Sequence, residues 1–233
     1  MTVLVTGAGG FIGGHLVADL LAEGRTVRAV DAKPLDEWHQ IQESAENVVG
    51  DCSDPVDAHK VAAGTEEIYN LAADMGGMGF IENNKAECML SVLTSTNMLV
   101  AARDAGTRRF FYSSSACVYN GEKQTDPHVT ALAEADAYPA DPEDGYGWEK
   151  LFSERMARHF REDYGLQTRV ARYKTSTAHS ARGRAVARRL RPRCAARSPP
   201  QRSPASTRSR SGATASRPAR SPTSTTPSTA PSS

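Results

Sequence analysis

The chain has 233 residues and a formal net charge of +1, long enough for one ordinary domain with a sizeable core. The near-neutral total hides two unlike parts. Residues 1–173 carry 15 basic and all 27 acidic side chains, whereas residues 174–233 carry 12 Arg, 1 Lys and no acid. No apolar run approaches the roughly 20 residues of a membrane span, and the start of the chain lacks a signal-peptide pattern. Cys52, Cys88, Cys117 and Cys194 form no C-x-x-C pair, which argues against a zinc site or disulfide framework and for a reducing, cytoplasmic setting.

Thr2–Thr6 is a β-rich run, followed by a glycine cluster and a helical pattern from His15 to Ala22 that Gly24 ends. Thr26–Val30, Asn47–Val49 and Glu67–Leu71 read as the next three strands. A helix-compatible stretch runs from about Ile81 to Ala105, and Arg109–Ser113 is a fifth strand. Tyr146–Tyr164 is an amphipathic helix, and Thr168–Arg172 a sixth strand. Strands alternating with helices predict an α/β fold, a doubly wound parallel sheet of the Rossmann kind.

Past Tyr173 the periodicity stops. Arg, Ser, Thr, Ala and Pro make up 52 of the last 60 residues, a composition that cannot bury enough apolar surface to offset the entropy of ordering it. The chain therefore divides into a folded Rossmann-like domain, 1–173, and a disordered tail, 174–233. The tail's charge could attract nucleic acid by counterion release. However, no aromatic residue is interleaved for stacking, which argues against that partner.

Thr6-Gly7-Ala8-Gly9-Gly10-Phe11-Ile12-Gly13 lies between the first strand and the first helix. Gly7 allows a tight turn, Gly10 a close approach to a pyrophosphate, and Gly13 close packing of helix on strand. Backbone N–H groups at the helix start, those of Phe11 and Ile12 among them, then face the phosphates. Asp31 ends the second strand 18 residues beyond Gly13, where a carboxylate accepts from ribose hydroxyls and repels a 2′-phosphate. NAD is thus favoured over NADP. Asp51, after the third strand, is a weaker candidate for the adenine, and a plain turn former is the alternative.

Tyr146-Gly-Trp-Glu-Lys150 places a phenol and an ammonium four residues apart on one helix face. The ammonium should favour phenolate and lower the Tyr146 pKa, fitting it to take a proton from a sugar hydroxyl. Lys150 could also hold the nicotinamide ribose, and the Ser113-Ser-Ser115 strand end lies upstream. His15, His39, His59, His128 and His159 follow no ligand spacing, so no metal is expected. Cys52 and Cys88 read as structural.

With T-G-x-x-G-x-x-G, the Asn70-Leu-Ala-Ala73 and serine strand ends and Y-x-x-x-K, residues 1–173 resemble the extended short-chain dehydrogenase/reductases. Ala73-Asp-Met-Gly-Gly-Met-Gly-Phe-Ile81 and Tyr112-Ser-Ser-Ser-Ala-Cys-Val-Tyr119 narrow the resemblance to the GDP-mannose 3,5-epimerase family. It implies that Leu71, Ala72, Ala73 and Ser113 join the NAD site. It also implies that Gly76, Gly77, Ser115, Ala116, Cys117 and Tyr146 contact the sugar. The implied reaction is redox-neutral: oxidation at C4 with Tyr146 as base, proton exchange at C3 and C5 by the Cys117 thiol and an opposing lysine, then re-reduction. A homodimer is implied too, its helices starting near Ile81 and at Tyr146. Other sugar-nucleotide epimerases, dehydratases or decarboxylases are the near alternatives, against which Cys117 and the G-G-M-G loop argue.

After Tyr173 the sequence departs from that family, which continues with a Y-G-P turn, a G-T-W segment and a G-G-R-E-K-A-P-A-A helix start carrying the partner lysine. Codons built from the third base of one residue and the first two of the next restore these motifs. Thr175–His179 can encode Val-Tyr-Gly-Pro, and His179–Gly183 Leu or Phe, then Gly-Thr-Trp. Arg184–Arg197 can encode Gly-Gly-Arg-Glu-Lys-Ala-Pro-Ala-Ala-Leu-Cys-Arg-Lys. This register implies one base lost near codon 173 or 174. The lysine falls across the codons of Arg188 and Arg189, and the chain as written is expected to be inactive.

Overall fold

A computed structural model describes residues 1–74, 78–124 and 132–173. The tail, 174–233, lies outside the described residues, as do Gly76 and Gly77. Among the described residues, six strands form one sheet: β1 (Thr2–Thr6), β2 (Thr26–Asp31), β3 (Glu46–Val49), β4 (Thr65–Asn70), β5 (Arg109–Ser115) and β6 (Gln167–Tyr173). The order is β3-β2-β1-β4-β5-β6, with every pairing parallel. Five helices connect them: α1 (Phe11–Ala22), α2 (Pro55–Ala62), α3 (Met78–Asn83), α4 (Lys85–Asp104) and α5 (Tyr146–Tyr164).

Strand periodicity divides the core. Leu4, Val30, Ile68, Phe110 and Tyr112 point to one face and pack against α2, α4 and α5, whereas Val3, Val5, Val27 and Ala29 point to the other and meet Val17 and Leu20 of α1. Because β1 is covered on both faces, it reads as a continuous apolar run rather than an alternating one.

The strands and α5 stand where the sequence places them, within two residues, but three helical features differ. Helix α1 starts at Phe11, four residues before the expected His15, because the glycine loop ends directly in its first turn, with Gly14 N bonded to Gly10 O at 3.0 Å. Helix α2 was not expected, although Asp54-Pro55 is a start signal: the Asp54 carboxylate accepts from Val56 N at 2.7 Å, and proline occupies the first helical turn. The single helix expected from Ile81 to Ala105 is two, because the chain breaks at Asn84 (φ −128°, ψ 52°).

The chain leaves β1 toward β2 on one side and toward β4 on the other, so a crevice opens between their C-terminal ends. Thr6 ties its two walls together. Its hydroxyl donates to Asn70 Oδ1 at 2.7 Å and accepts from Ala72 N at 3.3 Å. On the far side, Arg172 clasps Glu154 with two bonds of 2.7 and 2.9 Å, while Ser114 donates to Glu154 at 2.6 Å. That network fixes the ends of β5 and β6 against α5.

Thr6→Val keeps the shape but strands Asn70 Oδ1 in a buried position. It is expected to lower the unfolding free energy by about 1–3 kcal/mol, measured by urea denaturation. An unchanged midpoint would contradict the tie.

Candidate active site

The crevice holds a cavity of about 540 Å³. Seven of the expected cofactor residues line it: Gly7, Gly10, Asp31, Asp51, Leu71, Ala72 and Ala73. Gly7 takes φ +70°, and a Cβ there would stand 2.9 Å from the Leu71–Ala72 peptide. A Cβ on Gly13 would stand 2.2 Å from the Gly7 carbonyl oxygen, so Gly13 sets how closely α1 meets the loop rather than lining the cavity. Phe11 and Ile12 do not line it either. Phe11 stacks edge-on with His15 and His39, at 4.8 and 4.9 Å, and the Ile12 side chain is exposed.

Asp31 is held in place by backbone donors: Gly9 N bonds Oδ2 at 3.0 Å and Lys33 N bonds Oδ1 at 3.1 Å. Sequence reasoning passed over Gly9, yet a Cβ there would come within 2.8 Å of the Trp38 ring and 3.0 Å of the Asp31 carboxyl. Buried Trp38 donates to Lys33 O at 2.9 Å and so closes the segment after β2 over the loop. Only a tertiary contact 29 residues away requires this glycine, so no local pattern reveals it.

The cavity's other wall is the start of α4, from which Glu87, Ser91 and Thr94 contribute. Asp74 N donates to Ser91 Oγ at 2.9 Å. With Asp31, Asp51, Asp74 and Glu87 against Lys33, the lining is acidic. It suits a ligand that offers hydroxyls and amines at that rim, not an additional phosphate.

Ser113, Tyr146 and Lys150 lie outside this cavity; Tyr146 and Lys150 belong to a second centre beyond the α4 wall. There Cys88, between the cavity residues Glu87 and Ser91, packs with Ile81 and Tyr146, and Phe80 and Cys117 complete the cluster. Burial, then Asp74, pushes the Cys88 thiol up. Cys52 at the nucleotide end is pushed up to about 12 by burial and by Asp51, Asp57 and Asp31. Neither thiol is fitted to react.

The tight turn after β5 aims Cys117. Ser115 Oγ caps it by accepting from Cys117 N at 3.2 Å, and Ala116–Val118 form a single 3-10 turn. Glu143 N donates to Cys117 O at 3.0 Å. A Cβ on Gly147 would stand 2.5 Å from that same oxygen, so the glycine after Tyr146 lets α5 press against the cysteine turn.

Tyr146 and Lys150 meet as expected on one face of α5, but the phenol's acidity is reversed. Burial raises the Tyr146 pKa above its ordinary value, Cys117 and Glu149 raise it further, and a hydrogen bond with Ser115 works in the opposite direction. The Lys150 ammonium lies over ring faces, 5.0 Å from the Tyr112 centroid and 5.4 Å from that of Tyr146, and 3.5 Å from Glu149 Oε2. Its charge is shared with a carboxylate that the sequence reading overlooked.

A glycine-cradled crevice beside a buried Tyr-Lys pair, with the half-buried Ser115 and Cys117 next to it, defines a dinucleotide-dependent enzyme fold, and comparison with known proteins agrees. The NAD dependent epimerase/dehydratase family matches residues 3–198, and the chain belongs to that family. It is 42% identical over 174 residues to GDP-mannose 3,5-epimerase 1 of Oryza sativa subsp. japonica, covering 74% of this chain and 46% of that protein. The Arabidopsis thaliana GDP-mannose 3,5-epimerase is 41% identical over 180 residues, again 46% of its length. The chain thus spans about half the length of the curated relatives it matches. Among solved structures, a short-chain dehydrogenase/reductase superfamily protein from Agrobacterium tumefaciens with bound NAD matches with TM-score 0.64 and 28% identity. That match covers 76% of this chain and 50% of the other.

A phenol with a raised pKa keeps its proton in the folded chain at a pH where the unfolded chain has lost it. Stability held below about pH 10 therefore drains as pH rises past that value. Unfolding free energies of the wild type are expected to fall more steeply above pH 10 than those of Tyr146→Phe; parallel curves would contradict the raised pKa.

Proposed function

We propose that this chain is the NAD-binding part of an epimerase acting on GDP-mannose or a closely related nucleotide sugar. The observation that carries the reading is the convergence of Ser115, Cys117, Tyr146 and Lys150 across α4 from the glycine-cradled cavity. The Oryza and Arabidopsis relatives support the sugar assignment.

The cavity fits NAD. Gly7 and Gly10 leave backbone open beside it, and fixed Asp31 is placed to accept from ribose hydroxyls. When bound, NAD supplies a reversible hydride acceptor at C4 of the sugar. Tyr146 takes the C4 hydroxyl proton as the 4-keto sugar forms and later returns it, so its high pKa in the protein makes it a reluctant base that must be helped. Lys150 helps through its ammonium, 5.4 Å from the centroid of that ring, and Ser115 by its hydrogen bond to the phenol. A 4-keto group acidifies C3 and C5, and the Cys117 thiol moves a proton on one face of the ring. The opposite face needs a second acid/base.

That second group is the lysine we place across the codons of Arg188 and Arg189, out of frame. In this reading 1–173 is the domain, 174–233 is an out-of-register tail, and the chain binds cofactor without turning over substrate. Exposed Met89 and Leu93 on α4 and Trp148 and Phe152 on α5 offer apolar faces for a homodimer of a full-length relative. Among the described residues no helix is long and apolar enough to cross a membrane, compatible with a cytoplasmic setting.

Titration calorimetry tests the cofactor reading. NAD is expected to bind at least about tenfold more tightly than NADP, about 1.4 kcal/mol, and Asp31→Ser to narrow that gap. Failure to bind either, or equal affinities with Asp31 intact, would overturn it.

A further inference from the structure

The reaction set out above gives Glu149 no task, yet Glu149 is the most deeply buried carboxylate near it. Its side chain is 0% exposed and that of Lys150 4%. Oε1 accepts from Tyr112 Oη and from Ser153 Oγ, each at 3.1 Å. Oε2 has no hydrogen-bond partner and lies 3.5 Å from Lys150 Nζ. Neighbouring residues on a helix point about 100° apart and do not ordinarily pair. Here both side chains turn inward, into the space between β5 and α4.

We propose that Glu149 is a positioning residue, the built-in counter-ion that anchors the Lys150 ammonium over Tyr112 and Tyr146. The inference rests on Lys150 being part of the NAD site. Holding Tyr112 and Ser153 alone would not require a charge. A glutamine oxygen accepts both bonds, and burying a carboxylate costs several kcal/mol unless a cation repays it. Burial works against the Lys150 charge, and Glu149 is the group that supports it. Among the described residues, the elements packed around the pair offer no substitute. Tyr112 from β5, Cys88 and Ser95 from α4, and Cys117 from the turn after β5 are neutral or acidic, and Arg172 of β6 is committed to Glu154. The phenol of Tyr112, buried and held protonated, donates to Oε1 and leaves Oε2 to the ammonium.

Two readouts on the full chain separate this role from a structural one. In 13C-lysine-labelled protein, the Lys150 Cε signal, assigned through Lys150→Met, should carry the ammonium shift at neutral pH in the wild type. In Glu149→Gln its titration midpoint should fall by about 1–3 pH units. NAD affinity in Glu149→Gln should then weaken with rising pH over a window displaced downward by the same amount. An unchanged Lys150 midpoint in folded Glu149→Gln overturns the proposal, as does a neutral Lys150 amine in the wild type at pH 7, a measurement that needs no variant to fold. A lowered midpoint with pH-independent NAD affinity supports the anchoring and overturns only the placing of Lys150 in the NAD site.

Discussion

A Cβ on Gly13 would sit 2.2 Å from the carbonyl oxygen of Gly7, so α1 can leave the end of β1 at this angle only with glycine there. Much of the nucleotide end follows from that contact. Helix α1 lies close enough to bury Val17 and Leu20 against Val3 and Val5, and the loop between is drawn back over β4 until Gly7 touches the Leu71–Ala72 peptide. Gly9 N is thereby aimed at Asp31 and the Trp38 ring closes over it. At Gly7, Gly9 and Gly13 the neighbour is backbone, a ring or a carboxyl group, and none of the three has slack for an added methyl group.

The second centre depends on a similar approach. Without a side chain at Gly147, α5 presses on the carbonyl of Cys117, and its first two turns deliver Tyr146, Glu149 and Lys150 beneath β5. The result is a buried phenol, carboxylate and ammonium beside a half-buried thiol. Low dielectric strengthens their mutual effects, which is why the simple pairing of Tyr146 with Lys150 does not predict the phenol's acidity. Burial, then Cys117 and Glu149, raise its pKa, and only the Ser115 hydrogen bond is seen to oppose them. A base so reluctant depends on whatever keeps its lysine charged, and Glu149 occupies that place.

Features with a local physical cause were legible in the sequence. The six strands follow runs of apolar and β-branched residues, and Gly165 in the left-handed region at φ +72° stops α5 after Tyr164, where the helical pattern ends. The glycine loop and Asp31 were legible because the phosphate and the ribose each demand a particular backbone or charge. Helix α2 was legible in principle from Asp54-Pro55. What could not be read were demands imposed from far along the chain. Gly9 answers to Trp38, the β-strand end at Ser114 to Glu154 and Arg172, and Glu149 to Tyr112.

As proposed, this chain carries its cofactor site and half of its acid/base machinery, the other half lying in another reading frame. Conversion of GDP-mannose, followed by chromatography of the products, tests it in two chains matched for bound NAD: the 233-residue chain, and one whose gene has a base restored near codon 173 or 174. Turnover is expected from the restored chain alone. Product from the 233-residue chain, or none from a restored chain that holds NAD, would contradict the account.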